Sequence, residues 1–529
     1  MQTYVEAEVT AQERSVLERH FTSVDGPVAA LTGLPDATKA ALFARYSRTA
    51  KPLRRVFLDE FYRPEDDVAG IAAVGGDRAS DLFSQVLSDY GDDSVAQLAG
   101  VHVSCEQVSN LVTKVLERGR LMGYLEQSTR YVFYGDKPGG RYRYYRDPDL
   151  LAGPHGRLYI EALDGLFDAY NDIFAAVKEM LQAPLTPDDG AARRAARAAA
   201  LDVARGILPA ATVSNVGIFA SPQAFELLIL RLRSHELPEA RAYAELLLAE
   251  LKKVIPDFLT RLDRPERGGV WVDYRRRRFD SLEAAARELG LDRSGADLGA
   301  SGSSTRLLRW RESAEDEIVA NALYAHSRIP LDQLLAAVND LPAARRERLF
   351  AASVGERRNR RHHPGREWEA ADYEFEVVSD YGAFRDLQRH RLLTIEWQRL
   401  GVDLGYDVPA EVEAAGRAAT WRDAVERAET AFARIAADSP AQAAYLVTMG
   451  HRVRYVMRMN AREAMHLIEL RSSPQGHPSY RRVAQEMHAL IRDTAGHRLV
   501  ADAMKFVNQD DVHLGRLDAE QRREARGPS

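Results

Sequence analysis

Apolar residues recur at helical spacing over long stretches of the chain. Leu163, Leu166, Phe167, Tyr170, Ile173, Phe174, Val177 and Leu181 share one face of a 3.6-residue period, which predicts a buried helix. A second helix is expected over Ala191–Ile207. It stops before Pro209, because proline lacks an amide to donate and its ring clashes with the preceding turn. A third covers Gln223–Leu262 with a break near Pro238. Ahead of Arg118 the pattern is ambiguous. Leu98, Val101, Cys105, Val108, Val112 and Val115 fit a heptad, while Val101, Val103 and Cys105 alternate with His102, Ser104 and Glu106 like a strand. A later segment arbitrates: Tyr373, Phe375 and Val377 alternate with Asp372, Glu374 and Glu376, a strand pattern, and Asp380 then caps a short helix ending near Arg389. By analogy, Ser109 caps the matching helix ahead of Arg118.

That analogy is one piece of an internal repeat, the feature with the greatest leverage on the fold. Ala44–Arg48 resembles Tyr324–Arg328, and CEQVSNLVTKVLERGR (105–120) resembles EVVSDYGAFRDLQRHR (376–391). ARGILP (204–209) leads toward LRLRSH (230–235), as QAAYLV (442–447) leads toward LRSSPQGH (470–477). The offsets shrink from 280 (328 − 48) through 271 (391 − 120) to 240 (471 − 231), so the first copy holds extra residues, mostly between Arg130 and Arg205. A Gly/Ser/Asp cluster from Ser294 to Ser304 is a linker signal. The expected organisation is copy one over 1–268, a linker over 269–303, copy two over 304–515 and a disordered tail over 516–529. Each copy reads strand, short helix, arginine cluster, extended turn and long helices. The expected fold class is α+β, two tandem helix-rich domains with a small antiparallel sheet in each.

Composition narrows the classes. With 529 residues, 45% apolar and 28% charged, the chain reads as a globular protein and not as a disordered or collagen-like one. Length alone suggests three to four domains at about 150 residues each; the repeat reduces that to two copies of one fold. Acidic residues number 78 and basic ones 72, a formal charge of −6. That balance excludes a generalised nucleic-acid coat, and no DNA or RNA partner is expected. No run of eighteen apolar residues exists, so no membrane span is expected. The N-terminal stretch carries Glu6, Glu8 and Glu13 and no apolar core, so no secretory signal is expected. One cysteine, Cys105, excludes a disulfide framework within the chain and points to a cytoplasmic protein. It lies among alternating apolar residues and reads as a buried, inert thiol.

The densest polar signal is Gln388-Arg389-His390-Arg391, which closes the short helix of copy two. The same place in copy one reads Arg118-Gly119-Arg120, followed by Gly123, Glu126, Ser128 and Arg130. Basic residues complement a helix C-terminus, so a single cluster has a structural explanation. Two at equivalent places point to a flat, anionic ligand, because guanidinium forks suit phosphates and the polar edges of heterocycles. His362-His363 lie among Arg360, Arg361 and Arg366, whose charge repels a metal ion, so no metal site is expected.

The segment ERGRLMGYLEQSTRYV (117–132) resembles the signature of the flavin-dependent thymidylate synthases, the ThyX family: R-H-R, two residues, S, two residues, E, one residue, S, one residue, R. Copy one supplies Arg118, Arg120, Glu126, Ser128 and Arg130 at matching spacing, with Gly119 for the histidine and Gly123 for the first serine. Copy two has Arg389, His390, Arg391 and Thr394, then departs, with Trp397, Arg399 and Gly401 at the last three places. MNAREAMHLIELR (459–471) is similar to the family's Asn-Ala-Arg segment; in copy one the asparagine falls on Ala220, and Arg231 matches Arg471. Arg205 matches an arginine that the family turns toward the nucleotide, where copy two has Ala444.

The resemblance implies an FAD enzyme that methylates C5 of dUMP, with methylenetetrahydrofolate and NADPH as co-substrates and the cofactors carrying the hard steps. It implies a nucleotide side built by Arg118, Arg120, Glu126, Ser128, Arg130, Arg205 and Arg231. It implies a flavin side built by Ser94, Glu369, Arg389, His390, Arg391, Asn460, His466 and Arg471. Arg231 and Arg471 are the expected catalytic groups, stabilising negative charge that develops on the pyrimidine. Family members are homotetramers with shared sites, so a homodimer forming a pseudo-tetramer is expected. Two other readings stay open: a non-catalytic flavin- or nucleotide-binding homologue, and C5 modification of a different uracil nucleotide.

Overall fold

Two strands end on a capping side chain that starts a short helix. Ser109 Oγ accepts from Val112 N at 3.1 Å and opens the helix Asn110–Leu116, while Asp380 Oδ1 accepts from Ala383 N at 2.8 Å and opens Tyr381–Leu387. Both caps fall where the alternation pattern placed them. A cap satisfies one of the amides that a helix start leaves without a partner.

The computed structural model describes residues 9–25, 28–46, 49, 51–63, 97–186, 189–291 and 304–510. Arg48, Ser94, residues 292–303 of the linker and the tail 516–529 lie outside the described residues. The chain divides into two units, each discontinuous in sequence. The first comprises residues 1–106, 121–126 and 215–292; the second comprises 107–120, 127–214 and 293–529. Much of copy one, including Arg118, Arg120, Arg130 and Arg205, therefore folds with copy two.

A three-stranded sheet is formed by β1 (Val101–Ser109), β2 (Met122–Glu126) and β3 (Val213–Ala220), in the order β1-β3-β2. Alternation wins over the heptad at β1, and Cys105 is buried there, where loss of hydration pushes its thiol up to about 12. The first unit continues as the helices Pro222–Arg233 and Pro238–Leu251, separated before Pro238 as expected. Residues 270–288, placed in the linker by their sequence, form a nineteen-residue helix in that unit.

The second unit carries four antiparallel strands: β4 (Ser304–Trp310), β5 (Asp372–Asp380), β6 (Leu393–Trp397) and β7 (Arg452–Asn460), in the order β4-β5-β7-β6. Tyr373, Phe375 and Val377 of β5 point into the core as their alternation demands. The helix Gly156–Gln182 buries Leu163, Leu166, Phe167, Tyr170, Ile173, Phe174 and Val177, and packs against Gly190–Ala204 and Ala418–Ala436. Both sheets are small and helices predominate, which is the expected α+β class. Among the described residues no helix is long and apolar enough to cross a membrane.

Within the second unit the two copies meet by reciprocal backbone pairing. Ala210 N donates to Val447 O at 2.8 Å and Met449 N to Leu208 O at 2.9 Å, about a bridge between Pro209 and Thr448. Next to it Gly450 N donates to Gly206 O at 2.6 Å beneath the fully buried Trp421 ring. A Cβ at Gly206 would lie 2.7 Å from that ring. Gly206→Ala is therefore expected to destabilise the protein by about 1–3 kcal/mol through overpacking. A urea midpoint equal to that of the wild type would contradict this close approach.

Candidate functional site

Asp386 occupies the last turn of the helix Tyr381–Leu387, where the helix dipole disfavours a negative charge. Its compensation comes from arginines. Arg205 Nη1 lies 3.5 Å and Arg471 Nη1 3.9 Å from its carboxylate oxygens. Burial raises the carboxyl pKa, but the charges of Arg389, Arg205, Arg471 and Arg130 outweigh that and hold it well below the usual carboxylate range. Arg130 forms a bidentate pair with buried Asp202, both bonds at 2.8 Å, and donates to the Tyr480 hydroxyl at 2.8 Å. The Tyr480 ring stacks beneath two guanidiniums, 5.9 Å from Arg130 and 5.5 Å from Arg471. Four guanidiniums thus share a place with Asp202 and Asp386, and the carboxyl groups of Asp380 and Glu463 also act on Arg205 and Arg471. Arg205 is 3% exposed, and its Nη2 has no hydrogen-bond partner. A buried donor in this condition is able to meet an added acceptor.

Beside this cluster lies His390. Arg471 Nε donates to its Nε2 at 3.0 Å, so the single imidazole proton resides on Nδ1, which bonds Glu463 Oε1 at 2.9 Å. Burial, and then the charge of Arg471, push its pKa down to about 3. Glu463 is held by its helix, whose N-cap Asn460 accepts from Glu463 N at 2.9 Å. His466 packs at 5.4 Å from His390 and from His363. His390, Glu463 and His466 bring ligand-type atoms within 4.8 Å of one another. Arg471 and Glu463 engage the two nitrogens of His390.

The remaining expected site residues are placed as follows. Arg118 binds the Glu396 carboxylate at 2.5 and 2.6 Å and stacks on Trp397 at 5.0 Å. Arg120 donates to Thr394 Oγ1 at 2.8 Å. With His390, Arg391 and Thr394 these two arginines line a cleft of about 90 Å³. Ser128 accepts from Arg130 N at 3.2 Å and so shapes the turn that presents that arginine. Glu369 pairs with Arg366 at 3.1 Å. Glu126 and Arg231 belong to the first unit, Glu126 buried at the end of β2 and Arg231 in the helix Pro222–Arg233.

The structure moves one equivalence. Motif matching pairs Asn460 with Ala220 and Arg471 with Arg231. The caps set a different register: Ser221 accepts from Ala224 N as Asn460 accepts from Glu463 N, so Leu232 stands at the place of Arg471. Burial agrees, because Ala461 and Pro222, the residues after the caps, are both buried. Asp386, Asp202, Glu463 and Tyr480 were not singled out in the sequence. The one local signal for Asp386 is an acid in the last turn of a helix that ends in arginines.

A family model described as thymidylate synthase complementing protein matches residues 36–257 and 308–495. The UPF0159 protein of Chlamydia muridarum is 35% identical over 533 residues, covering 98% of this chain and 99% of that protein. The UPF0159 protein of Thermoplasma acidophilum is 30% identical over 522 residues, covering 92% and 98%. A flavin-dependent thymidylate synthase of Clostridium tetani is 27% identical over 178 residues, 33% of this chain and 67% of that protein. Among solved structures, a UMP/dUMP methylase from Streptomyces cacaoi covers 40% of this chain and 98% of its own at 18% identity, with a TM-score of 0.31.

The buried neutral imidazole carries a pH dependence. Its folded pKa of about 3 lies below the unfolded value of 6.5, so the unfolded chain binds the proton more readily in that interval. The contribution is complete above pH 6.5 and is lost as pH falls toward 3. Urea midpoints of the wild type should fall steadily between pH 6.5 and 4, and those of His390→Gln should fall less. Parallel curves would contradict a neutral, buried His390.

Proposed function

Because the chain belongs to the thymidylate synthase complementing protein family, we propose that it is an FAD-dependent enzyme adding a methyl group to C5 of dUMP. Methylenetetrahydrofolate is the proposed carbon donor and NADPH the reductant. The observation that carries this reading is the buried arginine cluster with the unpartnered Arg205 Nη2. A phosphate monoester would supply an acceptor for that donor.

In this reading Arg130 and Arg205 clamp the phosphate. Arg471, held against His390 and over Tyr480, faces the pyrimidine edge and stabilises charge developing on the ring. His390 and Arg391 of the cleft are proposed on the flavin side with Arg389, while Arg118 and Arg120, which line it too, are engaged by Glu396 and Thr394. The cleft's volume of about 90 Å³ is far below the roughly 300–1,000 Å³ that encloses a whole small ligand. Further walls are therefore proposed to come from elsewhere, including a second chain in a homodimer that imitates four copies. The chemistry FAD supplies when bound is hydride transfer. His466 and Glu369 are proposed on the flavin side, with Asn460 contributing as the cap of its helix.

The rival reading, a binding protein without catalysis, draws on Gly119, Trp397 and Ala444, where motif residues are missing. Reconstitution separates the two. Protein incubated with FAD and desalted should be yellow, bleach anaerobically with NADPH and, with methylenetetrahydrofolate present, release tritium from dUMP labelled at C5. A colourless protein with no tritium release overturns the enzyme reading.

Arg205 is the cleaner probe of the phosphate. Removing Arg130 breaks a buried bidentate pair with Asp202, which costs about 3–5 kcal/mol of stability by itself. Arg205→Ala should raise the dUMP dissociation constant at least tenfold while FAD stays bound. Equal loss of both ligands would contradict the division between nucleotide and flavin residues.

A further inference from the structure

The two copies are related residue by residue through constant offsets in the folded chain. In copy one β2 pairs with β3, Met122 opposite Ala220 and Glu126 opposite Val216; in copy two β6 pairs with β7, Leu393 opposite Met459 and Trp397 opposite Tyr455. The offsets are 271 for the first partner (393 − 122, 397 − 126) and 239 for the second (459 − 220, 455 − 216). The caps obey the same offsets, Ser109 with Asp380 and Ser221 with Asn460. The junction obeys them too. Asn110 N bonds Thr212 O as Tyr381 N bonds His451 O, and residues 208–210 pair with 447–449, their own equivalents. Reciprocal pairing of equivalent segments is the mark of a twofold relation.

A twofold relation generates places in pairs. The arginine cluster takes Arg130, Asp202 and Arg205 from the first copy and Asp386, His390 and Arg471 from the second. The offsets give the complementary set of equivalent positions. These are Gly401, Ala441 and Ala444 in the second copy and Val115, Gly119 and Leu232 in the first. Every one of the six polar groups has become Gly, Ala, Val or Leu. The substitutions all fall on one member of the pair, and the other keeps all six. The two basic residues that survive on the depleted side, Arg118 and Arg120, are already engaged by Glu396 and Thr394.

We infer that each chain holds one charged anion pocket, assembled in cis from both copies, and that its repeat-related counterpart binds no anion. The pocket count stands on the offsets and the substitutions; only the identity of the ligand as a uracil nucleotide rests on the proposed function.

The test is a stoichiometry on the full-length protein with two probes, dUMP and inorganic pyrophosphate, by titration calorimetry and native mass spectrometry. One probe molecule per 529-residue chain is expected, lost in Arg205→Ala and weakened at least tenfold in the milder Arg205→Lys. Two per chain, or a stoichiometry unchanged in both variants, overturns the inference, as does failure of both probes to bind. Pyrophosphate binding at one per chain without dUMP binding leaves the pocket count standing and removes the nucleotide reading.

Discussion

Four guanidiniums cannot occupy one buried place without a counter-charge, and here Asp386 provides it. Its carboxylate lies where the charges of Arg130, Arg205, Arg389 and Arg471 converge, and its helix is fixed at the start by the Asp380 cap and by the bonds from Tyr381 and Gly382 to His451 and Met449. The same backbone segment pairs with residues 206–210 of the first copy, which carries Arg205 to the carboxylate. Cap, strand end and inter-copy pairing therefore all bear on one atom group. Within the cluster Arg205 Nη2 is buried without a hydrogen-bond partner.

The repeat shows how backbone and side chains diverge at different rates. Hydrogen bonds between main-chain groups ignore residue identity, so both copies keep the same ladder register, the same caps and the same junction. Side-chain chemistry has no such protection. Where one copy carries His390 and Asp386, the other carries Gly119 and Val115 with no change in the surrounding backbone pairing. Trp397 and Glu396 mark the same divergence from the other side: they occupy the places of Glu126 and Leu125, and both engage Arg118.

The packing that brings the copies together is tightest where it has no side chain. Gly206 and Gly450 allow the two backbones to meet under Trp421, and neither position leaves room for a Cβ at normal contact distance. This contact lies next to Arg205, so the geometry of that arginine and the stability of the junction are set by the same few residues.

Local pattern determined a great deal by itself. Alternation placed β5, helical spacing placed Gly156–Gln182, and the Ser and Asp at strand ends announced their caps, because each of these depends on neighbours within a few residues. The repeat and the arginine motifs were also legible, and with them the family. What the sequence could not determine was which arginines share a site. Arg130 and Arg205 stand more than two hundred residues from Arg471, and only the reciprocal pairing about Pro209 and Thr448 brings them together. The register of the second helix pair was likewise decided by its caps and not by motif spacing, which moved Leu232 to the place of Arg471. Asp386 stayed hidden for a related reason: the arginines that make an acid tolerable at a helix C-terminus come from both copies, and the chain must fold before they meet.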